Sequence, residues 1–240
     1  MPVDADRRQV IVAAGAALLG LGSIRLAGAQ ETGEEMHDAK EVLAVEDLMR
    51  EHGVLRRSLL VYAEAASRLS SGHGEVPMDA LGKTAELFRT FGENYHERAL
   101  EEQHVFVPLI KAGGHDGALA KTLTAQHQRG REMTDYISAI AKKGRISRGE
   151  DATFAKNVDA FVRMYQHHAA IEDTVIFPAW KRAISAQQYD ELSDQFEDLE
   201  QKMFGKDGFE DAVQRIAAIE QSFGLADLAA LTPPPPPKVT

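Results

Sequence analysis

No cysteine occurs among the 240 residues, so the chain forms no disulfide, offers no thiolate nucleophile and cannot hold zinc or an iron–sulfur cluster through sulfur. Any metal it binds must be held by histidine and carboxylate. Basic side chains are also scarce, with 27 Lys and Arg against 37 Asp and Glu and a net charge of −10. An acidic chain repels phosphate backbones and anionic lipid, which argues against nucleic acid and membrane surfaces as partners. Absent as well are a glycine-rich phosphate loop, a serine nucleophile elbow and a basic patch interleaved with aromatics.

A long hydrophobic run is missing too. The apolar stretch Val10 to Leu21 falls short of the about 18 residues that cross a bilayer, and Arg25 interrupts the segment beyond it. With Arg7 and Arg8 before it and Ala27-Gly28-Ala29 after it, residues 1–29 read as a cleavable export signal of the twin-arginine type. The expectation is a periplasmic protein with no stable membrane insertion once the signal is removed. Cleavage takes away three Arg and two Asp and moves the net charge to −11. At the other end, five consecutive prolines (Pro233 to Pro237) exclude helix and sheet and mark 227–240 as a solvated, disordered tail.

Between these ends, apolar residues recur at helical spacing and β-branched alternation is almost absent, which predicts an all-α chain. Leu48, Leu55, Leu59 and Ala66 mark the inner face of a helix from about Glu41 to Ser70, stopped by "SSGHGEVP". Leu81, Ala85, Phe88 and Tyr95 mark a second from about Met78 to Lys111, stopped by "AGGHDG". A third spans about Asp116 to Lys142 and a fourth about Arg148 to Ile184, with Phe161, Met164 and Tyr165 inward. Such short connections favour antiparallel neighbours, hence an up-down-up-down antiparallel four-helix bundle over 30–185. A short C-terminal helical extension over 186–226 reads as two amphipathic helices broken at "GKDG".

The chain repeats itself. "HERALEEQHVF" (His96 to Phe106) aligns without gaps on "HHAAIEDTVIF" (His167 to Phe177), matching Glu101 to Glu172 and Glu102 to Asp173, with a proline soon after each. The second and fourth helices thus carry one device, of the kind that builds carboxylate-bridged metal pairs across a bundle core. His52 falls on the stripe of Leu48, Leu55 and Leu59; His127 lies four residues after Leu123; His168 shares a face with Tyr165 and Glu172, which it precedes by four. One inward histidine alone is an ordinary structural residue, but one on each of helices one, three and four, with the His96 segment on helix two, calls for a common partner, because burying unpaired polar groups costs about 1–3 kcal/mol each. His37, His73 and His115 sit in Gly- or acid-rich connections and read as solvated, whereas His104 and His167 are second-tier candidates.

The segments "REHGVLRR", "YHERALEEQHVF", "AQHQRGR" and "HHAAIEDTVIFPAW" together resemble the hemerythrin-like (HHE) cation-binding domain over roughly Ala44 to Ala183. That resemblance implies a four-helix bundle with a non-haem di-iron centre held by His52, His96, Glu101, His127, His168 and Glu172, the two glutamates bridging. The implied cofactor is two non-haem iron ions, with manganese or zinc as alternatives, and the implied partner is dioxygen or a related small ligand. Two departures stand out. His96 and Glu101 are five residues apart, not four, so both face inward only if helix two contains a π-bulge; otherwise Glu97 and Glu101 share the inner face. The family's oxygen carriers carry a further histidine four residues after the first on helix three, where this chain has Arg131.

Three functions are expected on these grounds: binding or sensing of dioxygen, nitric oxide or iron; a di-iron oxidase or peroxidase; and a metal-free helical interaction module. In the first two, Tyr95 or Tyr165 is placed to donate a hydrogen bond to a bound ligand.

Overall fold

The structure, a computed structural model, describes residues 42–239 except residue 73. The export signal expected over 1–29, His37 and His73 lie outside the described residues.

The described residues form six helices and no strand. Helix α1 is Ala44–Ser71. Helix α2 (78–112) is α-helical over Met78–Leu87, π-helical over Phe88–Val105 and α-helical again over Phe106–Ala112. Helix α3 is Gly114–Lys142. Helix α4 (151–183) joins α-helical Asp151–Ile171, π-helical Glu172–Ile176 and α-helical Phe177–Ala183. The C-terminal helices are α5, Ala186–Phe204, and α6, Gly208–Phe223. His115, expected in a connection, sits exposed in the first turn of α3.

Helices α1, α3 and α4 each bury a seam that alternates steps of three and four. In α1 it runs Leu48, His52, Leu55, Leu59, Tyr62 and Ala66; in α3 Ala120, Leu123, His127, Gly130, Thr134 and Ile137; in α4 Phe154, Val158, Phe161, Tyr165, His168 and Glu172. This spacing forces the apolar stripe into the interior, and in each seam a histidine occupies a position that would otherwise hold an aliphatic. Met164 stands off the seam and is half-buried.

The π-helical stretches have a local cause written in the sequence. One ends at Val105, just ahead of Pro108, and the other at Ile176, just ahead of Pro178. Proline contributes no N–H and its ring crowds the carbonyl four residues back, and a widened turn upstream takes up that crowding.

Helix α1 lies mainly against α4, and α2 against α3, while α6 covers α1 and α2. Helix α1 has no capping side chain of its own, and α5 supplies one: the Ala44 N–H donates to Ser193 Oγ (3.1 Å) and the Val45 N–H to Tyr189 Oη (3.0 Å). Trp180 of α4 stacks on Phe196 of α5, and Arg57 grips Glu220 of α6 through two nitrogens (2.9 and 2.5 Å). Gly205 closes α5 at φ 67°, a left-handed conformation that suits glycine. Residues 233–239 are exposed chain without helix. No helix among the described residues is long and apolar enough to cross a membrane.

Candidate metal centre

Six polar side chains from four helices meet in one buried layer: His52 from α1, His96 and Glu101 from α2, His127 from α3, and His168 and Glu172 from α4, none more than 4% exposed. These are the six residues the sequence singled out. The five-residue step from His96 to Glu101 is spanned by the π-helix, whose i→i+5 bonds widen the turn so that both side chains reach the same centre, His96 Nε2 lying 3.3 Å from Glu101 Oε1. The same extra residue explains a mismatch in the repeat. His96 is the structural counterpart of His168, 72 positions on, whereas Glu101 corresponds to Glu172, 71 positions on. His167, which the ungapped alignment pairs with His96, is exposed, and His104 packs on Phe196; neither belongs to the cluster. Helix α4 carries its own shorter π-turn from Glu172 to Ile176, which helical periodicity did not anticipate, and His168, in the α-helical turn before it, approaches Glu172 to 2.9 Å.

All four imidazoles present the same nitrogen to the centre. The Nδ1 atoms face outward to oxygens: His52 to Asp173 (2.6 Å), His96 to Glu51 (2.5 Å), His127 to Glu102 (3.0 Å) and His168 to the Gln126 carbonyl (2.9 Å). Carboxylate and carbonyl oxygens only accept, so each Nδ1 carries its hydrogen and Nε2 is left as the inward nitrogen, which is the arrangement a metal-binding histidine needs. The glutamates span the layer. Glu101 turns Oε1 to His96 and Oε2 to His127 (3.4 Å), while Glu172 turns Oε2 to His52 (3.4 Å) and Oε1 to His168. His52, His96 and Glu101 thus form one group of donors and Glu101, Glu172, His127 and His168 another, with Glu172 also reaching His52 of the first.

Hydrogen bonding does not account for this layer. Both oxygens of Glu101, both of Glu172 and the His96 Nε2 are buried without a hydrogen-bond partner. Electrostatics alone favours the protonated form of His52, His96 and His127. Burial pulls His127 down, but Glu97, Glu101 and Glu102 outweigh it and raise the ring to about 10. Burial likewise opposes His96, which Glu101 and Glu51 hold well above its ordinary value, and His52, which Asp173 and Glu172 raise. Burial pushes Glu101 up, and His96 and His127 drive it well below the carboxylate range instead. A divalent cation would displace these protons and satisfy the orphaned oxygens at once, so the donor set fits a metal pair. Imidazole and carboxylate without thiolate suit iron, manganese or zinc.

Beside the cluster lies a small cavity of about 10 Å³, lined by Leu55, Arg56, Leu59, Ala169, Glu97 and Tyr165 as well as the six residues. Glu97, the alternative to His96 or Glu101, is buried here, but its oxygens go elsewhere: Tyr165 Oη donates to Oε1 (2.6 Å) and Arg131 Nη1 to Oε2 (3.2 Å). Arg131, standing where an oxygen carrier has a histidine, also donates to Glu102 (2.9 Å). Tyr95 does not reach the cavity; it packs on Phe91 and on Phe204 of α5, on the far side of α2. Of the two tyrosines, Tyr165 is the one that lines the cavity, with its hydroxyl hydrogen given to Glu97. Burial first, then the Glu97 charge, keeps its phenol well above the ordinary range. Gly130 makes room for that hydroxyl, because a Cβ there would lie 1.9 Å from it.

The Hemerythrin HHE cation binding domain family matches this sequence over residues 43–180 and again over 119–223. The chain belongs to the hemerythrin HHE family. Two relatives, uncharacterized proteins of Mycobacterium tuberculosis and Mycobacterium bovis, are each 42% identical to it over 193 residues, covering 80% of this chain and 74% of their own. No solved structure matches it. The overlap of the two family matches follows the internal repeat, since both halves of an HHE domain carry the same His and Glu device. Of the outer partners, Glu102 and Asp173 match each other in the internal repeat, whereas Glu51 and Gln126 lie outside it, although each of the four directly adjoins one of the six residues. A rule that inspects the neighbour of every candidate ligand would have found them.

Proposed function

We propose that this HHE protein holds two iron ions in the buried layer, with Glu101 and Glu172 shared between them, and uses the pair to bind or sense dioxygen or nitric oxide. The observation that supports this most directly is the set of orphaned atoms: four carboxylate oxygens and a ring nitrogen buried without hydrogen bonds, facing histidines that have all turned Nε2 inward. We further infer that α1 to α4 form an up-down-up-down four-helix bundle with α5 and α6 on its outside. Residues 1–29 serve as its export signal to the periplasm; N-terminal sequencing of the secreted form is expected to begin at Gln30.

Iron in such a pair supplies two electrons to a small ligand. The protein's own residues do the rest. Leu55, Leu59 and Ala169 give the cavity its apolar side and Arg56 its charged edge, Tyr165 holds a proton at Oη beside it, and Arg131 balances the charges of Glu97 and Glu102. A second reading, an oxidase or peroxidase, is favoured by that same Tyr165–Glu97 pair, which offers a proton next to the ligand cavity, and by Arg131 standing where a carrier has a further histidine.

The test is anaerobic purification, metal stoichiometry and an optical spectrum before and after air. About two irons per chain and an oxygen-sensitive band are expected; His168→Ala is expected to lower the metal content. Metal content unchanged in His168→Ala would sink the site. Steady-state turnover with peroxide or ferrous iron separates the enzyme from the binder, and absence of any metal leaves the helical interaction module.

A further inference from the structure

The partners around the layer obey the same correspondence as the layer itself, with one break. Moving 75 positions along the chain carries Glu51, His52 and Arg56 of α1 onto Gln126, His127 and Arg131 of α3. Asp173 accepts from His52 and pairs with Arg56, just as Glu102 accepts from His127 and pairs with Arg131. Glu51 accepts from His96 as Gln126 accepts from His168. Every partner keeps its charge under this exchange except the last: a carboxylate on one side is a neutral amide on the other.

We propose that this break makes the two metal positions unequal, so that a first divalent cation enters the His52/His96 position and a second, bound more weakly, the His127/His168 position, with Glu51 setting the difference. The inference rests on reading the layer as a two-metal site. A carboxylate that accepts from Nδ1–H pulls on that hydrogen and makes Nε2 a more basic donor, whereas an amide oxygen holds the ring in place without adding charge. Glu51 is fully buried, and among the described residues no lysine or arginine pairs with it. The charges of Asp173 and Glu102 are each met by an arginine and cancel between the halves. Of the other carboxylates, Glu97 is 4.0 Å from His127 Nδ1, but its oxygens are taken by Arg131 and Tyr165, so it polarises no ring by a hydrogen bond, while Asp47 and Glu200 lie on the Glu51 side. His96 thus stands as the most strongly polarised ring and His168 as the least.

Cobalt(II) titration of the metal-free full chain, followed by calorimetry and visible absorption, tests this. The wild type is expected to fill in two steps whose affinities differ by about 10-fold or more, the usual effect of an outer partner on a ligating histidine. His168→Ala keeps the tighter step and His96→Ala the weaker one. Glu51→Gln weakens the first step by about 10-fold and moves the second by less than about 3-fold. Gln126→Glu, which does not depend on Glu51→Gln folding well, tightens the second step and closes the gap. Two equal steps in the wild type, or equal weakening of both steps by Glu51→Gln, overturns the ordering. No cobalt bound at all overturns the two-metal reading on which it rests.

Discussion

Two buried layers of the same helices meet opposite ends. In one, Tyr62, Phe88, Phe161 and Tyr165 pack ring against ring at centroid distances of 5.0 to 6.1 Å, and Phe154 fills the end against Tyr136. A few turns along, the identical seam positions hold His52, His127, His168 and Glu172, with the Glu101 oxygens left without partners. The first layer gains free energy from dispersion and removal of apolar surface. The second gives some of it up, since each orphaned buried group costs about 1–3 kcal/mol. A fold keeps such a layer where something other than stability is at stake, and here the donor atoms converge on two points. Glu93, Glu97, Thr134 and Tyr165 form the boundary, where hydroxyls and carboxylates interleave with the rings.

The sharpest way to break the contrast is Glu101→Ala. Because Glu101 reaches both positions, the substitution is expected to abolish bound metal in elemental analysis, and the metal-free protein is expected to unfold at a lower temperature as the charge facing His96 and His127 is removed. Retention of one full equivalent of metal would show that the carboxylate is not shared. The mirror experiment is Phe154→Ala in the aromatic layer. A cavity there costs about 3–5 kcal/mol in denaturant unfolding, while metal stoichiometry at 25 °C stays that of the wild type. If metal falls as steeply as stability does, the two layers are not separable.

Smaller effects lie at the boundary. Gly130→Ala drives a methyl into the Tyr165 hydroxyl and is expected to cost about 1–3 kcal/mol, with Tyr165 displaced from Glu97 and a changed optical spectrum of the iron form. A substitution that left both unchanged would remove Tyr165 from the account of the cavity. Glu93 gives the least effect and one that depends on pH. Burial foremost lifts its carboxyl to about 7; Arg89 Nε lies 2.9 Å from one oxygen, yet neither oxygen has a hydrogen bond. A carboxyl that keeps its proton longer in the folded chain favours folding below the unfolded value of 4.5, and that support drains away as pH rises from 4.5 to about 7. Glu93→Gln is therefore expected to match the wild type at pH 4.5 and to be more stable by about 1–3 kcal/mol at pH 8 in urea unfolding of the metal-free protein. A constant difference across that range would place the Glu93 titration elsewhere.

Much of the site could be read in advance, for reasons that particular residues make plain. His52, His127 and His168 fall in seams whose period is set by helix geometry, so their inward direction comes from spacing alone. His96 and Glu101 do not, because a five-residue step is ambiguous until the backbone chooses between an α and a π turn. The prolines at 108 and 178 were the available signal, and they bear on backbone crowding rather than on side-chain pattern. Tyr95 was placed in the cavity by ordinary helix periodicity; the π-helix and the cover provided by α5 send it to Phe204 instead. Glu97 looked interchangeable with its neighbours until Arg131 and Tyr165 were seen to claim its oxygens.

By itself the sequence determined the helical class, the absence of sulfur ligands, the internal repeat and the inward direction of His52, His127 and His168, since hydrophobic period and residue chemistry are local properties of the chain. Only the tertiary structure decided which nitrogen each imidazole turns inward, how the two glutamates span the layer, and that Glu51 and Gln126 stand in equivalent places with unequal charge. The hydrogen bonds that fix the imidazoles join residues 25 to 121 positions apart, and each exists only once packing has brought their helices to within about 3 Å at the contact.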